Sequence, residues 1–281
     1  RSAWWPRLLG MIVPRKLRRE YGVEHVEYQN VEVLQASRAA GHGILLTPNH
    51  CRPPDPMLIL ELGWRLGIPL YTMASWHLFM QSGFQRRMLQ RMGVFSVYRE
   101  GLDRESLKFA IDALAAAERP LILFPEGVIS RTNDRVNHLM DGAALIARSA
   151  AKQRAAASPT GKVVVHPVAI RYFFGGDIAT AVEPALEAIE RRLSWAPQTT
   201  LTLTQRIIKV GEALLTLKEL EYFGRPGEGE LRQRLQALID HLLWPLEDEW
   251  LKGRREGDVV GRVKALRAAI LPDLVGGELV E

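Results

Sequence analysis

Gly43-Ile44-Leu45-Leu46-Thr47-Pro48-Asn49-His50-Cys51-Arg52-Pro53-Pro54-Asp55-Pro56 is the stretch that decides the fold. Its opening apolar run reads as a strand buried on both faces, the pattern of a parallel sheet. Pro53 and Pro54 forbid an immediate helix. His50 is therefore delivered at the C-terminal end of a strand, on a stiff loop, with the Asp55 carboxylate close by. In an open α/β sheet, ligands bind at that edge. A histidine held by a carboxylate is the physical arrangement of a general base.

The spacing constrains the loop. Residues five apart do not share a helix face at 3.6 residues per turn, so His50 and Asp55 meet only if the segment between them is not helical. Pro53, Pro54 and Pro56 push their neighbours toward extended geometry. Asp55-Pro56 has the form of an N-cap and first helical position for a helix from Met57 to Leu66. Capping that helix is a second role for Asp55, compatible with the first because a carboxylate has two oxygens.

Strands are expected at Val31–Leu34, Gly43–Thr47, Pro69–Met73, Val94–Tyr98, Leu121–Phe124, Val163–Ile170 and Leu201–Val210. Helices are expected at Met57–Leu66, Trp76–Arg91, Asp103–Ala117, Val136–Ala150 and Ala181–Leu193. Alternating strand and helix gives an α/β fold, a largely parallel central sheet flanked by helices. The turn-rich Gly224-Arg225-Pro226-Gly227-Glu228-Gly229 precedes Glu230–Leu251, apolar at helical spacing, and then Val263–Leu271. The organisation read from the chain is an interfacial segment over 1–30, an α/β domain over 31–211 and a C-terminal helical extension over 212–281, with no evident internal repeat.

Three further segments carry chemistry. Gly93-Val94-Phe95-Ser96-Val97-Tyr98-Arg99 is a short alternating strand ending in an arginine. Phe124-Pro125-Glu126-Gly127-Val128-Ile129-Ser130-Arg131 follows the apolar Leu121-Ile122-Leu123. Val165-His166-Pro167-Val168-Ala169-Ile170 closes another run. Together with Asn-His-x-x-x-x-Asp, the order and spacing of these blocks resemble the lysophospholipid and glycerol-phosphate acyltransferase family, the 1-acylglycerol-3-phosphate acyltransferases. The resemblance runs from Gly43 to Ile170.

That resemblance implies that His50 takes a proton from an acceptor hydroxyl and that Asp55 orients the imidazole and stabilises its charged form. The activated oxygen would attack the thioester of acyl-CoA or acyl carrier protein, with no metal, no other cofactor and no covalent acyl-enzyme. It implies that Arg99 binds the acceptor's phosphate, with Glu126, Gly127 and Arg131 in the same phosphate-binding region. Arginine suits a phosphate because its planar fork donates two parallel hydrogen bonds. Val128 and Ile129 stand where the family has Thr and Arg, and Tyr98 stands where an acidic residue is common. These departures bear on the acceptor and leave the acyl-transfer residues in place. The expected activity is acyl transfer to 1-acylglycerol-3-phosphate in phospholipid synthesis. The other readings are a different lyso-lipid acceptor, or an inactive membrane-associated lipid-binding protein of the same fold.

Composition bounds the rest. The chain has 281 residues, 47% of them hydrophobic, enough for a sizeable core. Its one cysteine, Cys51, excludes an internal disulfide and suits a reducing compartment. A thiol nucleophile beside His50 is the less favoured use of that residue. His166 reads as a structural histidine, and His25, His42, His77, His138 and His241 have no partner pattern.

The formal charge is +5. Arg1, Arg7, Arg15, Lys16, Arg18 and Arg19 face only Glu20 in the first twenty residues, so the rest is balanced. Mixed with Trp4, Trp5, Leu8, Leu9, Met11, Ile12 and Val13, they read as a helix lying in a membrane interface. The run is too short to span a bilayer, and no cleavage site marks a signal peptide. The expected partners are membrane lipids at the bilayer interface, with the protein peripheral or monotopic on the cytoplasmic face. The chain opens on Arg1 without a Met, as a piece of a longer one would. Basic residues interleaved with aliphatics at one end only, without aromatic platforms elsewhere, argue against nucleic acid. No Gly-x-Ser-x-Gly elbow and no metal-ligand spacing is present.

Overall fold

A computed structural model describes residues 12–98, 103–158 and 160–278, with side chains through Leu271. Two compact units divide between Tyr172 and Phe173. The first is α/β. Its elements are α1 (Val13–Tyr21), α2 (Val31–Ala39), β1 (Gly43–Pro48), α3 (Asp55–Arg65), β2 (Tyr71–Ser75), α4 (His77–Met80), α5 (Gly83–Met92), β3 (Val94–Val97), α6 (Arg104–Ala116), β4 (Leu121–Ile122), α7 (Gly142–Ala157) and β5 (Val163–Val168). The sheet has five parallel strands in the order β3-β2-β4-β1-β5.

The near-continuous apolar run of β1 has a physical counterpart. Side chains alternate across a strand, so Ile44 and Leu46 enter one core with Leu17, Leu34, Leu58, Ile59 and Leu62 of α1–α3. Leu45 enters the other core with Ala110, Leu114, Ile146 and Ala150 of α6 and α7. Leu45 is fully buried beside its register partner Leu121. Pro167, which has no N–H to give, sits in the edge strand β5.

Strand order also sets the site. The connection from β1 crosses β4 to reach β2, and that from β4 crosses β1 to reach β5. These adjacent strands send their chains in opposite directions, so a crevice opens beyond their C-terminal ends. The loop with His50 leaves β1 there, and the loop with Glu126 leaves β4.

Several expected elements differ. Val31–Leu34 is the start of a helix. Val31 packs against the core beside the buried Leu34, at the i, i+3 spacing of one helix face. Trp76–Arg91 is two helices, because Ser82 caps the second by accepting the Gln85 N–H at 3.1 Å. The expected helix from Val136 begins only at Gly142; Val136 and Leu139 are exposed in a loop. Leu201–Val210 is helical because Thr202 and Gln205 form a reciprocal capping box. Residues 1–11 of the basic segment lie outside the described residues. Of the remainder, α1 buries Leu17 in the first core.

The second unit is helical: α8 (Ile178–Arg192), α9 (Leu203–Phe223), α10 (Leu231–Leu251) and α11 (Val259–Glu278). It contains an internal repeat that the sequence did not reveal. Arg206, Arg234 and Arg262 follow one another at intervals of 28 residues. Each guanidinium clasps a glutamate of the preceding helix through Nε and a terminal nitrogen. The distances are 2.9 and 2.9 Å to Glu190, 3.0 and 2.6 Å to Glu219, and 2.7 and 3.0 Å to Glu247.

Each glutamate also accepts the backbone N–H of the residue eight further on, Gln198, Gly227 or Arg255. At Gly227 an added Cβ would lie 2.3 Å from Glu219 Oε1, so a side chain at this step would collide with the carboxylate as it is placed. Four residues after each arginine comes a buried aliphatic, Val210, Leu238 and Leu266. Three fully buried carboxylates are thus each satisfied by a bidentate arginine and a loop amide, the condition for tolerating a buried charge. Among the described residues no helix is long and apolar enough to cross a membrane.

The hydrogen-bonded Arg234 holds the Glu219 carboxyl below the usual carboxylate range, as Arg206 does for Glu190 and Arg262 for Glu247. A depressed carboxyl contributes stability that is present above its unfolded pKa, about 4.3, and lost as pH falls through the folded value. Glu219→Gln is expected to lower the melting temperature at neutral pH. Its further drop between neutral pH and about pH 3 should be smaller than the parent's. Thermal melts followed by circular dichroism at both pH values check this.

Candidate active site

Two asparagines build the frame of the site. Asn49 lies just past β1. Its Oδ1 accepts the Ile170 N–H at 2.6 Å and its Nδ2 donates to the Ile170 carbonyl at 3.1 Å, continuing the ladder after the strands end. Asn133 treats Tyr172 in the same way, at 3.0 and 2.6 Å. Arg171 and Asp134 pair at 2.7 Å beside it. The segment after β5 is thereby pinned against the loops leaving β1 and β4.

Within that frame stands His50. Its Nδ1 lies 2.9 Å from Asp55 Oδ2. That oxygen also accepts the Arg52 N–H at 2.8 Å, so Arg52-Pro53-Pro54 is folded tightly around the carboxylate. The other oxygen, Oδ1, accepts the Tyr172 hydroxyl at 2.5 Å. Asp55 is fully buried and occupies the first turn of α3, where the helix dipole favours an anion. The N-cap position is Pro54, and the Asp55 carboxylate makes no capping bond; its oxygens are spent on the site. Burial, then the hydrogen bond to Asp55, push the Tyr172 hydroxyl well above the ordinary tyrosine range, so it stays a donor. The Arg52 guanidinium lies 5.0 Å from the Tyr172 ring centre.

The loop after β4 holds His50 from the other side. The Glu126 carboxylate, 4% exposed, accepts the His50 N–H at 2.8 Å and the Asn137 N–H at 3.0 Å. The Ser130 N–H donates to the His50 carbonyl at 2.7 Å. Phe124 packs its ring 4.4 Å from the imidazole. Gly127 closes a turn on Phe124 with φ of 68°, the left-handed region that favours glycine. Arg131 is exposed on the same loop. Glu126 and Gly127 therefore join His50 and Asp55 in one cluster, while Arg99 lies outside the described residues.

The His50 side chain is 16% exposed. With Nδ1–H donated to Asp55, Nε2 is the ring nitrogen that can accept a proton, the arrangement a general base requires. Tyr172 was not found by sequence reasoning, and Asn49 was quoted only as part of the motif, without its role. Their partners are more than a hundred residues away, and only the β1–β5 pairing reveals them. Cys51 is buried; its thiol donates to the Ile170 carbonyl at 3.2 Å, and burial raises its pKa. It is part of the frame. His166 meets Ser37 Oγ at 3.0 Å and is structural, with burial lowering its pKa. Among the described residues no group of acidic, histidine or cysteine side chains is placed to hold a metal.

A family model described as Acyltransferase matches residues 25–171, a little over half the chain. It encloses His50, Asp55 and Glu126 and stops one residue short of Tyr172. No curated protein and no solved structure matches the chain.

The burial of Cys51 has a direct readout. Its reaction with a thiol reagent such as Ellman's should be at least about a hundredfold slower in the native protein than in denaturant. Comparable rates would mean that the loop opens freely.

Proposed function

The chain belongs to the acyltransferase family, and on that premise we propose that it transfers a fatty acyl group from acyl-CoA or acyl carrier protein to a hydroxyl of a lysophospholipid or glycerol-phosphate acceptor. The acceptor proposed first is 1-acylglycerol-3-phosphate, a step of phospholipid synthesis at the cytoplasmic face of a membrane to which the protein is held peripherally.

The observation that carries this reading is the His50–Asp55 contact with Tyr172 behind it. His50 Nε2 removes the proton of the acceptor hydroxyl as its oxygen attacks the thioester carbonyl. A tetrahedral oxyanion forms and collapses, and the thiolate of the donor leaves, taking back the proton from the imidazolium. Asp55 holds the ring in the tautomer that leaves Nε2 free and offsets the charge of the intermediate imidazolium. Tyr172 is a positioning residue, acting through Asp55. Glu126 sets the height of His50 by holding its backbone amide. Arg131 and Arg99 are the proposed phosphate contacts, with Gly127 turning the loop that carries Arg131.

The assay is release of CoA or acyl carrier protein thiol across a panel of acceptors. His50→Ala is expected to lower kcat by about 10²–10⁴-fold while donor binding persists. Activity within tenfold of the parent would defeat the base assignment. Tyr172→Phe leaves one Asp55 oxygen buried without its donor. It is expected to lower kcat about tenfold with little change in KM. A rise in KM alone would mean that the hydroxyl contacts substrate instead.

A further inference from the structure

The stretch between Glu61 and Glu100 contains no acidic residue, yet besides Arg65, which pairs with Glu61, it holds Arg86, Arg87, Arg91 and Arg99. Its middle is the hairpin of α4 and α5 that leaves β2 at the same sheet edge as His50. The hairpin is well made. Gln85 Nε2 donates to the Leu78 carbonyl at 3.1 Å and to Gln81 Oε1 at 2.8 Å, Ser82 caps α5, and the buried Phe79 plugs it into the unit.

Met88, Leu89 and Met92 are half-buried, but three apolar side chains near its tip are left in water. Phe84 is 78% exposed, Met80 68% and Leu78 40%, and α5 has no buried residue. A helix with no fully buried side chain gains less from its own unit, because packing of an apolar face supplies most helical stability. Phe84, Arg87 and Arg91 fall at i, i+3 and i+7, an aromatic at the tip of a face with arginines behind it. Val128, Ile129, Val136 and Leu139, also exposed, lie in the loop after β4 at the same edge, with Arg131 and Arg135 among them.

We propose that the α4–α5 hairpin is a lipid-docking element that seats Met80 and Phe84 in the interface of an anionic membrane, with Arg86 and Arg87 on its phosphates. The occupant follows from charge as well as from apolarity. Arg86 and Arg87 are exposed on a hairpin that carries no acidic residue of its own, and such basic residues are attracted to anionic headgroups, each by about 1 kcal/mol near the surface. Aromatic and thioether side chains at a helix tip enter the acyl boundary. The hairpin then holds the sheet edge against the surface from which a lipid acceptor arrives. This deepens the acyl-transfer reading and rests on it for the acceptor, but the docking itself is measured separately.

The experiment uses the full chain with Phe84→Cys carrying an environment-sensitive nitrobenzoxadiazole label, Cys51 being shielded by burial. With vesicles of phosphatidylcholine and phosphatidylglycerol, emission should shift to the blue and be quenched by doxyl-labelled lipid. Phosphatidylcholine alone should give less of both. Unchanged emission on vesicles that nonetheless sediment the protein would overturn the proposal, as would failure to sediment with any vesicle. A blue shift that tracks protein concentration without lipid would assign the face to a second copy and equally overturn it.

As a second arm, Met80→Asp with Phe84→Asp should lower vesicle partitioning about tenfold. Turnover of a water-soluble short-chain lysophospholipid should be unchanged. Arg86→Ser with Arg87→Ser should reduce the preference for anionic vesicles about tenfold, and an unchanged preference would remove these arginines from the docking face. Absence of turnover in the parent alongside a normal lipid response would sink the acyl-transfer reading and leave the docking intact.

Discussion

A fully buried carboxylate is the constraint around which the catalytic unit is arranged. Moving an ionised Asp55 out of water carries a large penalty unless it is met by donors and fixed charge. Here one oxygen accepts from the His50 ring and the Arg52 amide, and the other from the Tyr172 hydroxyl. The N-terminus of α3 adds a favourable field. Two of these donors come from the loop after β1 and the third from the segment after β5. The carboxylate therefore does not simply orient a histidine; it also ties the loop after β1 to the segment after β5. The site and the closure of the sheet edge are one set of hydrogen bonds.

Strand order converts that local arrangement into a cleft. Because β1 and β4 are neighbours whose chains depart in opposite directions, the loops bearing His50 and Glu126 face each other. Glu126 then fixes the backbone of the histidine, while Asp55 fixes its ring. Two carboxylates divide the work of placing one imidazole, and neither occupies Nε2.

The sequence disclosed the parts whose causes are local. The strand before His50, the non-helical loop set by its prolines and the parallel α/β class all follow from nearest-neighbour rules. Tyr172 did not emerge, because nothing around Arg171-Tyr172 distinguishes that tyrosine until β5 is placed beside β1. Asn49 was visible as part of a motif, but its role as a surrogate strand residue depends on Ile170. The alternation around Leu201 imitated a strand, where a threonine and a glutamine were in fact starting a helix. The helical repeat escaped notice because its signature is a few residues spread over 28, a Glu, an Arg and an aliphatic, with the rest free to vary.

That repeat has a consequence for how the second unit can change over time. Each clamp joins a helix only to its successor, so every step carries its own buried ion pair and its own apolar plug. Stability in such an array behaves as a sum of intrinsic and nearest-neighbour contributions. A segment of one period could be gained or lost in the middle of the array, and the flanking steps would close on each other with the same chemistry. The unit's length is then a heritable variable that shifts in whole modules.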